Sequence, residues 1–172
     1  MKSYMLAWGM VMALVVPFAA HAQKVTVDWD HDVHNFSSFK TFALTKPVRS
    51  TSNPLMDERI VAAIKNQMTA KGLQQVENNP DVFVTYSAGV RPEKSATVMG
   101  TGRFRMGGGM GTINQNISNT GTLVVDISDA GARKLVWRGA ATDTLSDKPD
   151  KNSKKIEKAV EKMFKKYPPE SK

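Results

Sequence analysis

Gly121-Thr122-Leu123-Val124-Val125-Asp126-Ile127-Ser128-Asp129-Ala130-Gly131-Ala132-Arg133-Lys134-Leu135-Val136-Trp137-Arg138-Gly139-Ala140 decides the fold. Residues 122–128 are an apolar run rich in β-branched side chains, the composition of a strand packed into a core. Asp129-Ala130-Gly131-Ala132 supplies a turn, and Lys134 to Thr142 returns as a second strand carrying Leu135, Val136 and Trp137. So short a gap between two such runs predicts an antiparallel hairpin.

Upstream, Asp81-Val82-Phe83-Val84-Thr85-Tyr86-Ser87 is partly apolar on both alternating faces, which predicts a strand inside the sheet. Arg91 to Gly111 holds Gly100, Gly102, Gly107, Gly108, Gly109 and Gly111 with little periodicity, and reads as a flexible Gly-rich loop or a long hairpin tip. Thr112 to Ser118 predicts an edge strand, and Asn119-Thr120-Gly121 a turn. Earlier still, Asn53-Pro54 opens a helix with a side-chain cap and a proline at the first position, and Asp57 and Glu58 follow at the positive end of the dipole. Ile60, Ile64 and Met68 recur on one face, with Val61 widening the stripe. Gly72 supplies a left-handed stop, after which Leu73 folds back on Met68, so the helix is predicted over 54–71.

Lys24 to Asp30 alternates strictly, with Val25, Val27 and Trp29 on one side of a strand. Asn35 to Ser38 reads as a turn. Phe39 to Leu44 is a second strand, with Phe39, Thr41 and Ala43 opposite Lys40, Phe42 and Leu44. Near the other end, Ser153 caps a last helix whose stripe is Ile156, Ala159, Val160, Met163 and Phe164, and Pro168-Pro169 ends it. Strands in runs with two separated helices, rather than a strand–helix alternation, predict an α+β fold. It has two layers, a mostly antiparallel sheet with both helices packed on one face.

The first 22 residues carry a different kind of information. Lys2 precedes an apolar run from Met5 to Phe18 broken only by Gly9, and Ala20 and Ala22 are the small residues of a cleavage site. The run is shorter than the ~20 residues of a membrane span. Residues 1–22 are therefore expected to be a cleavable signal peptide. Residues 23–172 are expected to form a single periplasmic domain with no transmembrane segment after cleavage. The 172-residue chain has a formal charge of +8 and no cysteine. Disulfides, thiol catalysis, thiolate metal sites and lipid attachment through cysteine are excluded, and stability rests on packing alone.

Several stretches resemble a bacterial envelope family, domain of unknown function 4136. They are Asp30 with Phe36-Ser37-Ser38-Phe39-Lys40-Thr41-Phe42, Asn53-Pro54-Leu55-Met56-Asp57, and Lys71-Gly72-Leu73 leading to Pro80-Asp81-Val82-Phe83-Val84. The most specific piece is Gly121 to Ala130 running on to Lys134-Leu135-Val136-Trp137-Arg138-Gly139-Ala140, and Phe164-Lys165-Lys166-Tyr167-Pro168-Pro169 closes the pattern. The resemblance implies a small envelope protein, often an outer-membrane lipoprotein, with no established enzymatic activity and no catalytic residues to transfer. Having no lipobox cysteine, this chain is expected free in the periplasm or peripheral to the outer membrane.

Candidate chemistry is sparse. His31 and His34, with Asp30 and Asp32, are the residues able to hold zinc or copper, although on an extended chain the two histidines point to opposite faces. No Gly-x-Ser-x-Gly or Ser-x-x-Lys signature is present, so no enzyme is expected and no cofactor is implied. Gly107 to Gly111, flanked by Arg103 and Arg105, lacks the strand-to-helix context of a nucleotide loop, while Phe104 with the adaptable Met106 and Met110 suits contact with a partner. Lys154, Lys155, Lys158, Lys162, Lys165 and Lys166 line the last helix opposite its apolar stripe. They form either a solvated face or a contact for anionic lipid or an acidic partner. Nucleic acid is not expected, since no recognition module is present. The leading expectation is a non-enzymatic module that binds another envelope protein or supports the envelope. The alternatives are a small-ligand or lipid carrier with a cleft between sheet and helices, and a metal-binding protein or metal-dependent enzyme at His31 and His34.

Overall fold

A computed structural model describes residues 23–33, 35–99 and 112–169, through the backbone at 95–99 and 112–116. Along the chain come β1 (Lys24–Trp29), β2 (Thr41–Leu44), α1 (Pro54–Ala70), β3 (Gln74–Gln75), β4 (Val82–Met99), β5 (Thr112–Asp129), β6 (Lys134–Thr144) and α2 (Pro149–Phe164). The strands form one open sheet in the order β1-β6-β5-β4-β2-β3. β1, β6, β5 and β4 pair antiparallel in succession, and β2 lies parallel to both β4 and β3. A parallel pair needs a crossover, and α1 makes it between β2 and β4. The α+β architecture with a mostly antiparallel sheet is the one the sequence predicts.

Both helices pack on the same face. Ile60, Ile64 and Met68 of α1 and Val160, Met163 and Phe164 of α2 share a core with Val84 and Tyr86 of β4, Val125 and Ile127 of β5, and Trp137 of β6. Full burial of one such side chain contributes about 1.5–3 kcal/mol. The opposite face carries Phe83, Thr85 and the Asp126–Arg138 pair, joined by two hydrogen bonds of 2.6 and 2.7 Å.

Local chemistry sets the ends of α1 as the sequence predicts. The Asn53 side chain accepts from the Leu55 N–H at 3.1 Å, and Pro54 holds the first turn. Gly72 turns left-handed at φ +87°, the Leu73 N–H donates to the Met68 carbonyl, and the Gly72 N–H donates to that of Thr69. Those two bonds make a Schellman stop, and Leu73 is buried behind it.

Trp137 needs a second device. A bulge between Ile127 and Ser128 leaves Val136 as an extra residue in β6, so the neighbours Val136 and Trp137 are both buried. The indole lies 5.1 Å from the Phe164 ring and 5.6 Å from that of Tyr167. A Cβ on Gly139 would come within 2.6 Å of Trp137 Cη2 and 2.8 Å of Met163 Sδ. Glycine at 139 is what lets the ring lie flat along its own strand.

Four local expectations are corrected. Of the two readings of 91–111, residues 91–99 follow the long hairpin, continuing β4, and not the loop, and 112–129 are one strand with no turn at Asn119-Thr120-Gly121. The ladder of β4 runs straight past that point through Pro92↔Asn119 and Arg91↔Thr120. Gly121 serves close approach instead: a Cβ there would meet Leu145 Cδ2 at 2.8 Å. α2 begins at Pro149 after Lys148, not at Ser153, whose hydroxyl turns back to the Pro149 carbonyl at 3.0 Å. In β2, Phe42 and Ala43 are both buried, so the strand does not alternate, and its first N–H groups are taken by Asp81. Short β3 carries no apolar alternation and is not foreseen. Residues 1–22 and 100–111, with the glycines of the loop, lie outside the described residues.

Candidate functional site

At one end of the sheet the core-facing positions shrink. Ala88 on β4, Gly121 on β5 and Ala141 on β6 stand where larger side chains fill the core further along. Met56 and Ile60 of α1 and Ile156 and Ala159 of α2 roof the space, Val90 and Leu123 wall it, and Leu145 closes it over Gly121. The result is a cleft of about 160 Å³. That is comparable with the dry apolar cavities that take benzene or xenon, and it has room for one or two apolar side chains or a short stretch of alkyl chain.

The polar groups at the mouth are mostly tied to one another. The Gln23 Nε2 donates to the Lys155 carbonyl at 3.0 Å and to Asp143 Oδ2 at 3.4 Å. The Lys155 ammonium pairs with Asp143 Oδ1 at 3.0 Å and also donates to the Thr144 carbonyl. Asn152 accepts from the Ser146 N–H and donates to its carbonyl, at 2.8 and 2.7 Å. Thr51 donates through its N–H to Asp57 Oδ1 at 2.9 Å. A buried Gln23 Oε1 is left without a donor among the described residues. Such a mouth offers shape and apolar contact rather than a nucleophile with a free base.

Large apolar groups are exposed on the segments that lead to the cleft. Val90 on its wall is 59% exposed, Leu55 beside Met56 is 61%, and Ile117 further along β5 is 67%. Isolated exposed apolar residues are ordinary, but Val90 lines the cleft and its exposure extends the cleft's contact surface.

The sequence-predicted candidates fall elsewhere. His31 is exposed with its ring 5.1 Å from that of Trp29, and His34 lies outside the described residues. Asp30 pairs with Lys134 at 2.7 Å and accepts from the Asp32 N–H at 3.1 Å. The Lys134 ammonium, helped by that amide, holds the Asp30 carboxyl below the ordinary carboxylate range. No three metal-ligating side chains come together among the described residues. Along α2, Lys154, Lys158 and Lys162 are exposed at four-residue spacing, with Lys166 just beyond the helix. Lys165 pairs with Glu161 at 3.1 Å. Lys155, grouped with that basic face by sequence, instead leaves it to bind Asp143 at the cleft. Arg103, Phe104 and Arg105 lie outside the described residues.

Two helices over one face of a mostly antiparallel sheet, with an apolar cleft at the sheet's end, define a small α+β fold. The family model described as Domain of unknown function (DUF4136) matches residues 25–169, and the chain belongs to that family. Among solved structures, the chain is similar to a PDZ domain protein from Parabacteroides distasonis, at TM-score 0.59 and 19% identity. That match covers 87% of this chain and 37% of the other, so the chain spans little more than a third of its length. It is similar also to PelC, a dodecamer from Paraburkholderia phytofirmans, at TM-score 0.50 and 13% identity, covering 83% of this chain and 95% of that one. Identities this low carry likeness of fold alone. A search of curated proteins finds no match. No helix among the described residues is long and apolar enough to cross a membrane.

Proposed function

We propose that this protein is an exported, non-enzymatic binding module of the cell envelope, free in the periplasm, whose cleft takes an apolar segment of another envelope protein. The observation that carries the reading is the cleft: an apolar space whose charged neighbours, Lys155 and Asp143, neutralise each other instead of reaching into it. Support for export comes from Lys2, the apolar run and the Ala20-x-Ala22 site. The exposed lysines 154, 158, 162 and 166 support a second contact with an acidic partner or an anionic surface.

The test is photo-crosslinking in cells from a residue placed at exposed Leu55, next to the cleft-lining Met56, in chains with and without Val90→Glu. Val90 is exposed, so the substitution leaves the fold intact. An unpaired carboxylate pressed into an apolar contact costs several kcal/mol, so the crosslinked yield is expected to fall about tenfold or more. Equal yields from the two chains would remove the cleft from the account. A protein carrying residues 1–22 and found among cytosolic contents would remove export.

A second reading, a carrier of a small apolar ligand or lipid, is favoured by the mainly aliphatic and methionine walls of the cleft. Native mass spectrometry separates the two. A stoichiometric lipid mass that disappears in Val90→Glu supports the carrier, and an unliganded mass with retained protein crosslinks supports the partner.

A further inference from the structure

The hairpin of β4 and β5 outruns the rest of the sheet. β6 reaches only Thr120, paired with Thr144, and the last bond beyond it runs from the Leu145 N–H to the Asn119 carbonyl. On the other side the last bond to β4 runs from the Ala88 N–H to the Arg49 carbonyl. Past both points the two strands pair only with each other among the described residues, from Glu93↔Ser118 out to Met99↔Thr112. At about 3.3 Å per residue this is a ribbon roughly 20 Å long with an open edge on each side.

The two edges differ. In an antiparallel pair the backbone groups of alternate residues point toward the partner strand and away from it. The Ala88 N–H faces away from β5, so the groups of Val90, Pro92 and Lys94 do too. Pro92 therefore stands where its missing N–H would have faced solvent, with Arg91, Glu93 and Lys94 around it. Proline and charge are the means by which edge strands avoid further pairing. On β5 the Asn119 carbonyl faces away from β4, so the groups of Ile117, Gln115 and Ile113 do too. Thr112-Ile113-Asn114-Gln115-Asn116-Ile117-Ser118-Asn119-Thr120 has no charge, no proline and no glycine, in a chain whose net charge is +8.

We propose that the outer edge of β5 from Ile113 to Ile117 is a self-pairing surface, on which a second copy of this chain adds its own β5, antiparallel, about a two-fold axis at Gln115. Positions 113, 115 and 117 of one copy then meet 117, 115 and 113 of the other, and each pair exchanges two hydrogen bonds, about six in all. The neutral stretch brings no like charges face to face. The length of the ribbon holds the two basic bodies apart by more than the ~8 Å over which salt screens charge. Pairing turns two marginal two-stranded ribbons into one sheet in the order β4-β5-β5-β4. Its outer edges are the guarded edges of β4, so assembly closes at two copies. The inference stands apart from the cleft and does not depend on what the cleft binds.

Sedimentation of the purified protein over a roughly hundredfold concentration range is expected to show a reversible monomer–dimer equilibrium. Gln115→Lys and Gln115→Glu each set two like charges across the axis and weaken the dimer about tenfold or more. An equimolar mixture of the two variants restores it, which a folding defect would not allow. Because the chain has no cysteine, Gln115→Cys with a short thiol-specific crosslinker is expected to give a covalent dimer, and Lys94→Cys on the guarded edge is not. A monomer at every concentration, a dimer indifferent to both charged variants, or crosslinking through position 94 instead of 115 would each overturn the proposal.

Discussion

Tyr167 is a fully enclosed phenol with an unanswered hydroxyl. Its ring packs against Phe36, Trp137 and Phe164, and its oxygen has no hydrogen-bond partner among the described residues. Burial pushes its ionisation up to about 12. Tyr86 is pushed up to about 12 as well, by burial first and then by the Asp57 carboxylate beside it. An unfolded tyrosine ionises near 10. A group whose folded value is raised keeps its stabilising share below the unfolded value and loses it as pH climbs toward the folded one. The protein is therefore expected to lose stability from about pH 10 to about pH 12. Tyr167→Phe removes a buried hydroxyl that bonds to nothing, so stability at neutral pH is expected to stay level or rise by up to about 1 kcal/mol. The alkaline loss becomes shallower, with the Tyr86 share remaining. Urea unfolding at neutral pH and near pH 11 measures both effects. A marked loss at neutral pH would mean that the hydroxyl is satisfied in solution.

At the scale of elements, the register of β2 on β4 rests on one carboxylate. Asp81 accepts from the Lys40 N–H and the Thr41 N–H at 2.8 Å each and from Thr41 Oγ1 at 3.0 Å, and the Asp81 N–H donates back to Thr41 Oγ1 at 2.9 Å. The amides of Lys40 and Thr41, then the Thr41 hydroxyl, hold its carboxyl below the ordinary value. A depressed carboxylate stabilises above its unfolded pKa, about 3.9, and the contribution is lost as pH falls through the folded value. Asp81→Asn is expected to cost about 1 kcal/mol at neutral pH, a figure already reduced for exposure to solvent. The gap to the parent narrows in acid below about pH 4, with Asp30 still contributing to the slope. Thermal unfolding from neutral to acid pH reads this directly, and a gap that stays constant would show that Asp81 acts through packing alone. Elements whose signals are short-range were legible in sequence. Asn53-Pro54 and Gly72-Leu73 set the ends of α1 through bonds spanning a few residues, and the β5–β6 hairpin follows from two apolar runs and a turn. The outer half of the β4–β5 hairpin was legible only in part, as an edge strand over 112–118 and as one of two readings of 91–111, because its pairing is between backbones and leaves no alternating apolar stripe. Gly121 and Gly139 look like turn or spacer residues until Leu145 and Trp137 are seen beside them. The cleft was anticipated only as a general space between sheet and helices. Its walls come from segments far apart in the chain, and the nearest sequence signal is the run of small residues at Ala88-Gly89, Gly121 and Ala141.

For the whole molecule, β5 joins two regions of unequal stability. Leu123, Val125 and Ile127 lie under both helices and are paired on both sides, by β4 and by β6. Ser118 and Asn116 bond only to β4, with no helix over Ile117 on the same stretch. Two strands alone are marginal in water, while amides of the core open only with global unfolding. Native-state hydrogen exchange in dilute solution is expected to show the amides of Ser118 and Asn116 exchanging at least about a hundredfold faster than those of Leu123 and Val125. Uniform protection along β5 would mean that the ribbon folds and unfolds with the body. The open edge of β4 begins at Val90, whose partner Gly121 is the last β5 residue of the cleft before the ribbon, and both line the cleft. Anything that fills the cleft adds contacts to that pair, so its first measurable consequence outside the cleft is slower exchange at the root of the ribbon, fading toward Met99 and Thr112.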